Sequence, residues 1–126
     1  KAFDRKIITY QGIGFKLADM AMKIEAARYL VYKAAWLYDN HKPNAKEAAM
    51  AKAFAADTAM EAATEAVQIF GGLGVVRGTA VERLYREIRA LRIYEGASEV
   101  LKLIIASKVL EAGVAEGGAG ASPKKS

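Results

Sequence analysis

Two short stretches of the chain carry residue types that helix formation does not demand. The first is Gln68-Ile69-Phe70-Gly71-Gly72, a polar amide followed by glycines whose bare backbone lets another group come close. The second is Tyr94-Glu95-Gly96-Ala97-Ser98-Glu99, which sets a carboxylate in a helix break just ahead of a helix N-terminus. Such a carboxylate can be a capping charge at the positive end of the helix dipole. It can equally be a general base, because a closed apolar site raises a carboxyl pKa toward neutrality. Taken on composition, the glycine stretch reads as an ordinary helix C-cap. Other chemistries are excluded from this sequence. With no cysteine there is no disulfide, thiolate zinc site or thiol nucleophile, and the single His41 leaves no His-Asp relay and no histidine metal cluster. Beside Pro43, His41 falls in a turn, where an exposed imidazole is expected.

The elements that must hold these stretches are helices. Alanine, the best helix former, recurs in pairs through the chain, and strand patterns are nearly missing. Ile13, Leu17, Met20, Ile24, Ala27 and Val31 step by four and three along one helical face between Gln11 and Asn40, leaving Lys16, Lys23 and Lys33 for water. Pro43 stops that helix. Asn44 with Glu47 forms a capping-box-like start to a second helix over Ala45 to Phe70, whose apolar line is Met50, Phe54, Ala55, Ala59, Ala63, Val67 and Phe70. Gly71-Gly72-Leu73-Gly74 ends it, and a loop runs to about Gly78. Thr79 and Glu82 form a second capping box, for a helix continuing to about Ile93. Tyr94-Glu95-Gly96 interrupts the pattern, which resumes from an N-cap at Ser98 to about Leu110.

The sequence therefore predicts an all-α, four-helix up-and-down bundle over residues 1–111, with two long helices and two shorter ones. A flexible, disordered Gly/Ser/Lys tail is expected over residues 112–126. The net charge of +5 lies on the helical body, because Glu111, Glu116, Lys124 and Lys125 cancel in the tail. Arg83, Arg86, Arg89 and Arg92 repeat every three residues, but that step spirals around a helix and Glu82 and Glu87 are interleaved as ion-pair partners. Solvated or interfacial ion pairs are expected there, and nucleic acid is not an expected partner. Tyr29, Tyr32, Trp36 and Tyr38 read as core or subunit interface in preference to a ring-stacking cofactor site. No window reaches a membrane span, and no signal peptide opens the chain. A start at Lys1, inside an already patterned segment, reads as a piece of something longer or a processed chain. A bacterial cytoplasm fits the cysteine-free composition better than a mitochondrial matrix, for which a transit peptide would lie upstream.

Taken together and in order, these stretches resemble the C-terminal helical domain of the acyl-CoA dehydrogenase family. The likeness runs from Lys1-Ala2-Phe3 and the segment Gln11 to Met20, through Ala34-Ala35-Trp36 and the segment Lys46 to Lys52, to Ala66-Val67-Gln68-Ile69-Phe70-Gly71-Gly72. It continues through Val81-Glu82-Arg83 and Arg86 to Arg92-Ile93-Tyr94-Glu95-Gly96. The resemblance implies FAD-dependent α,β-dehydrogenation of an acyl-CoA thioester, with electrons passed to an electron-transferring flavoprotein, in a homotetramer. It implies that Glu95 is the base for the α-proton and that its backbone N–H serves the enolate oxygen. Gly96 would line the thioester site and Tyr94 the acyl pocket.

For FAD, the resemblance implies contacts from Gln68, Ile69, Phe70, Gly71 and Gly72, reached from a neighbouring subunit, and from Ala97, Ser98, Glu99 and Gln11. Two positions depart from the family pattern. Ala97 replaces a threonine, removing a hydrogen bond worth about 0.5–1.5 kcal/mol, and Phe3-Asp4 stands where the family has Phe-Gly. The flavin-binding arginine expected just before Lys1 is outside the chain, so the 126 residues alone are expected neither to hold FAD tightly nor to turn over substrate. The alternatives are an oligomerisation and cofactor-support bundle in a non-dehydrogenating relative, and an acyl-CoA oxidase that shares the same residues.

Overall fold

The computed structural model of the chain describes residues 10–91, 93 and 98–119. Four α-helices follow in order: α1 Gln11–Asp39, α2 Ala45–Phe70, α3 Ala80–Leu91 and α4 Ser98–Ala119. Among the described residues there is no strand, and no helix is long and apolar enough to cross a membrane.

Local chemistry explains most of the ends. His41, at φ 55°, takes the left-handed position past α1, with Lys42 N–H donating to Leu37 O at 2.9 Å and His41 N–H to Tyr38 O at 3.1 Å. That pair of bonds is a Schellman ending with histidine where glycine or asparagine is usual. Asn44 sits at the N-cap of α2 as expected, but the capping box is not made: its amide Nδ2 turns toward α1 and donates to Ala34 O at 3.5 Å. At α3 the Thr79 hydroxyl likewise donates backward, to Val76 O at 2.9 Å. Glu82 is drawn to Arg86 at 2.6 Å and also accepts from Gly78 N–H at 3.4 Å, so the second box is not made either.

The Gly71–Gly78 connection is more structured than a loop. Gly71 has φ 61° and ψ −136°, which leads the chain out of α2 and into a 3-10 turn over Gly71–Val75. That turn folds back so closely that a Cβ on the buried Gly74 would lie 2.5 Å from Val67 O.

All three other helices rest on α2, and their backbones do not approach one another among the described residues. α1 runs antiparallel to α2, clasped by Lys16–Glu65 at 2.9 Å and Lys23–Glu61 at 2.5 Å. α3 also runs antiparallel: its start faces Thr64 and Val67, while its last carbonyl, Leu91 O, accepts from Lys52 Nζ. With 12 residues against 26, α3 covers only the second half of α2. α4 takes the first half in the same sense, Leu101 and Ile105 packing on Ala49 and Ala53 while Lys108 and Glu111 face residues 43–47. The all-α, four-helix architecture holds, and the alternation of direction stops at α3 because α4 fills the length that α3 leaves bare.

Two expectations are corrected. α4 passes the expected end at about Leu110 and continues to Ala119, so helix occupies much of the stretch assigned to the tail. Gly113 and Gly117 do not stop it, because glycine in a helix costs only about 1 kcal/mol relative to alanine. On α1 the buried line leaves the expected face, exposing Ile24 and Val31 and turning Leu30, Ala34 and Leu37 inward.

The core is built mainly of small side chains: Ala27, Ala34, Ala49, Ala53, Ala56 and Ala63, with Met60 and Leu101. They allow the helix backbones to approach closely. Large apolar residues are left outside, including Trp36, Tyr38, Leu103 and Val114.

Candidate functional site

Gln11 is the first residue of α1, and Gln68, Ile69 and Phe70 form the last turn of α2. Because α1 and α2 are antiparallel, Gln11 and the Gln68–Gly72 stretch lie at the same end of the molecule. Gln68 is exposed, Ile69 half-buried and Phe70 54% exposed. Gly71 needs its positive φ, whereas Gly72 does not, and a Cβ at either would meet nothing within 4 Å. Among the described residues nothing therefore requires glycine at position 72, and its backbone is left bare toward an outside group. Beside Gln68 opens a groove of about 370 Å³, walled by Thr64, Val75, Glu82, Tyr85 and Arg86. It combines an amide, an ion pair and a phenol ring around an apolar floor.

Ser98 and Glu99 open α4. Ser98 is buried at 8% exposure, while Glu99 is an exposed acid in the first turn, where the helix dipole favours it. Tyr94, Glu95, Gly96 and Ala97 lie outside the described residues, as does Arg92. Their flanks are described, and both rest on one turn of α2: Leu91 O on Lys52, and Leu101 on Ala49 and Ala53.

The Gln68–Gly72 stretch and the described flanks of residues 94–97 are thus held far apart within one chain. At about 1.5 Å per residue, the α2 turn at Ala53 lies roughly 26 Å from Phe70 at the helix end. Among the described residues the structure brings Gln11 to Gln68–Gly72, and sets Ser98 and Glu99 at the start of α4 near the end of α3, but it does not bring the two groups to each other.

Elsewhere the expected ion pairs form on α3, with Arg86–Glu82 at 2.6 Å and Arg83–Glu87 at 3.8 Å. Tyr29, Tyr32, Trp36 and Tyr38 are exposed, so they are not core in this chain, and Lys42 lies 4.8 Å above the Trp36 ring. On the α1–α2 seam the Lys23 ammonium is pushed above its ordinary value, first by its hydrogen bond to Glu61, against the opposing effect of desolvation and with the charges of Glu61 and Asp19 adding to the rise. What that pair contributes is present below the ordinary lysine pKa and is lost as pH rises through the raised value.

Residues 1–110 match the family model described as the C-terminal domain of acyl-CoA dehydrogenase. The chain belongs to the acyl-CoA dehydrogenase family. It is 52% identical over 108 residues to an acyl-CoA dehydrogenase of Bacillus subtilis, covering 86% of this chain and 28% of that protein. It is 48% identical over 111 residues to the 3-(aryl)acrylate reductase of Clostridium sporogenes, covering 88% of this chain and 29% of that enzyme. Among solved structures, butyryl-CoA dehydrogenase from Megasphaera elsdenii superposes with a TM-score of 0.85 at 46% identity, covering 87% of this chain and 29% of that one. The chain therefore spans under a third of the length of these relatives.

Sequence reasoning missed two features of this family domain. Lys52, which the apolar line of α2 leaves out, is half-buried and reaches the end of α3. Gly74, grouped with the glycines that end α2, is the one pressed against another backbone. Periodicity carries no signal for either, since one contact joins residues 39 apart in sequence and the other depends on how the turn after α2 folds back on Val67.

Proposed function

We propose that this chain serves as the C-terminal domain of an FAD-dependent enzyme that removes the α- and β-hydrogens of an acyl-CoA thioester. The observation that carries the reading is the placement of a bare, glycine-lined end at Gln68–Gly72 and, about two-thirds of α2 away, of Leu91 and Leu101, the residues on either side of the Glu95 segment, on one turn of α2. A flavin cofactor fits the first, because Gly72 has open space where a side chain would stand and Gln68 offers an exposed amide beside the groove.

When bound, FAD supplies the acceptor for the β-hydrogen as hydride. The residues of this chain do the rest. Glu95 takes the α-proton onto its carboxylate, a role that needs a desolvated site because a thioester α-carbon is a weak acid. The backbone N–H of Glu95 donates to the thioester oxygen as negative charge develops there. Gly96 lines the thioester site, Tyr94 the acyl pocket, and Ala97, Ser98 and Glu99 follow along the flavin. The roughly 26 Å along α2 between the two stretches supports a flavin site shared between copies, with Gln68–Gly72 of one serving the Glu95 of another. Broad exposed apolar faces on α1 and α4 support a homotetramer. An electron-transferring flavoprotein is the proposed electron acceptor.

The test is a steady-state assay of the enzyme carrying this domain, with a dye acceptor and a series of saturated acyl-CoA lengths. Turnover in the wild type and a loss of about 100-fold or more in Glu95→Gln are expected. Undiminished turnover in Glu95→Gln contradicts the assignment, and activity with oxygen alone at the dye rate makes the protein an oxidase.

A further inference from the structure

A lysine on an alanine-rich helix ordinarily extends into water, as Lys16 and Lys23 do while pairing with exposed or half-exposed glutamates. Lys52 does not. It is half-buried on α2, and its Nζ donates to the carbonyl oxygen of Leu91, the last residue of α3. The final carbonyls of a helix have no partner within the helix, and a cation there answers both the open acceptor and the negative end of the dipole. Ile93 N–H tightens the same terminus by donating to Ala90 O at 2.9 Å.

The neighbouring residues of the same α2 turn hold the other side of the break. Ala49 and Ala53 are buried against Leu101, and Ser98 is buried at the start of α4. The chain thus leaves α3 and re-enters α4 at one turn of α2, with residues 92–97 between the two anchors. The α4 anchor is apolar contact, which fixes an approach but slides easily. The α3 anchor is a directed, charge-assisted hydrogen bond, which fixes a point.

We propose that Lys52 is a positioning residue for the dehydrogenation: by holding Leu91 O it sets where the chain departs toward Glu95, four residues on. The proposal rests on the reading of Glu95 as the base. Proton abstraction is sensitive to such placement, since a shift of about 1 Å at the reacting groups can cost about 100-fold in rate.

The experiment compares Lys52→Met, Lys52→Arg, Lys33→Met and Glu95→Gln in the FAD-loaded enzyme, with butyryl-CoA as the probe. It reads kcat per bound flavin, KM, melting temperature and amide hydrogen exchange of peptides spanning residues 92–97. Methionine keeps the apolar stem and removes the donor. Lys52→Met is expected to lower kcat by about 10- to 100-fold and leave KM within about twofold, with faster exchange over 92–97 than in the wild type. Lys52→Arg, which keeps a donor at a different reach, falls between Lys52→Met and wild type, and Lys33→Met matches wild type. A Lys52→Met enzyme that melts lower but keeps wild-type kcat and exchange over 92–97 makes Lys52 a structural cap only and overturns the proposal. If Lys52→Met does not fold, Lys52→Arg decides: reduced kcat at unchanged KM supports the positioning role, and wild-type kcat overturns it. Full activity in Glu95→Gln instead overturns the reading of the base. Faster exchange over 92–97 in Lys52→Met would then still establish the anchor itself.

Discussion

Gly72 and Gly74 lie two residues apart and answer to different constraints. At Gly74 a methyl group would sit 2.5 Å from Val67 O, against backbone that cannot swing aside. Gly74→Ala is expected to lower stability by about 2 kcal/mol or to unseat the 3-10 turn, read as a drop in melting temperature. At Gly72 there is open space and no positive φ, so Gly72→Ala should leave the melting temperature of the cofactor-free protein nearly unchanged. If the bare backbone faces flavin, the same substitution weakens FAD retention, measured as flavin released on dilution. The sequence marks all of these positions with the same letter, and only the fold tells them apart. His41 shows the same limit: its turn is legible from Pro43, but its left-handed φ of 55° is not. His41→Gly should raise stability by up to about 1 kcal/mol.

The helices themselves were largely legible, because their ends are set by local chemistry. α2 begins after Asn44 and ends at Phe70 as its pattern requires, even though the Asn44 amide spends its hydrogen bond on α1. α4 is where local signals fail. Gly113, Gly117 and Gly118 suggest a chain too costly to order, yet the helix runs to Ala119, with residues 111–117 exposed on every side. Of these, Glu111 adds an exposed pair with Lys108 at 3.3 Å where it faces residues 43–47. Removing everything after Glu111 should therefore change the melting temperature very little. By contrast, Leu101→Ala, which empties the contact with Ala49 and Ala53, should cost about 2–3 kcal/mol. Both are read by thermal unfolding monitored by circular dichroism.

At the scale of the whole molecule, the decisive quantity is surface. Leu103 on α4 is 72% exposed, and Trp36 and Tyr38 on α1 are 54% and 73% exposed. A central helix with three others laid on it and not on each other leaves such faces open. The isolated 126 residues are accordingly expected to self-associate in sedimentation and to be colourless, holding neither FAD nor activity. The separation of roughly 26 Å along α2 between Gln68–Gly72 and the flanks of Glu95 leads to the same expectation under the proposal that two copies share each flavin. The helical period of the sequence made the four helices legible, but it carries no information about which helix lies at the centre. That arrangement depends on the lengths of α2 and α3 and on where small residues permit close approach.

The most direct test of the central claim is anaerobic flavin reduction by a saturated acyl-CoA in the FAD-loaded enzyme. The account predicts that butyryl-CoA bleaches the flavin of the wild type, and that Glu95→Gln, with the same flavin content, bleaches at least about 100-fold more slowly. Bleaching of Glu95→Gln at the wild-type rate would contradict it.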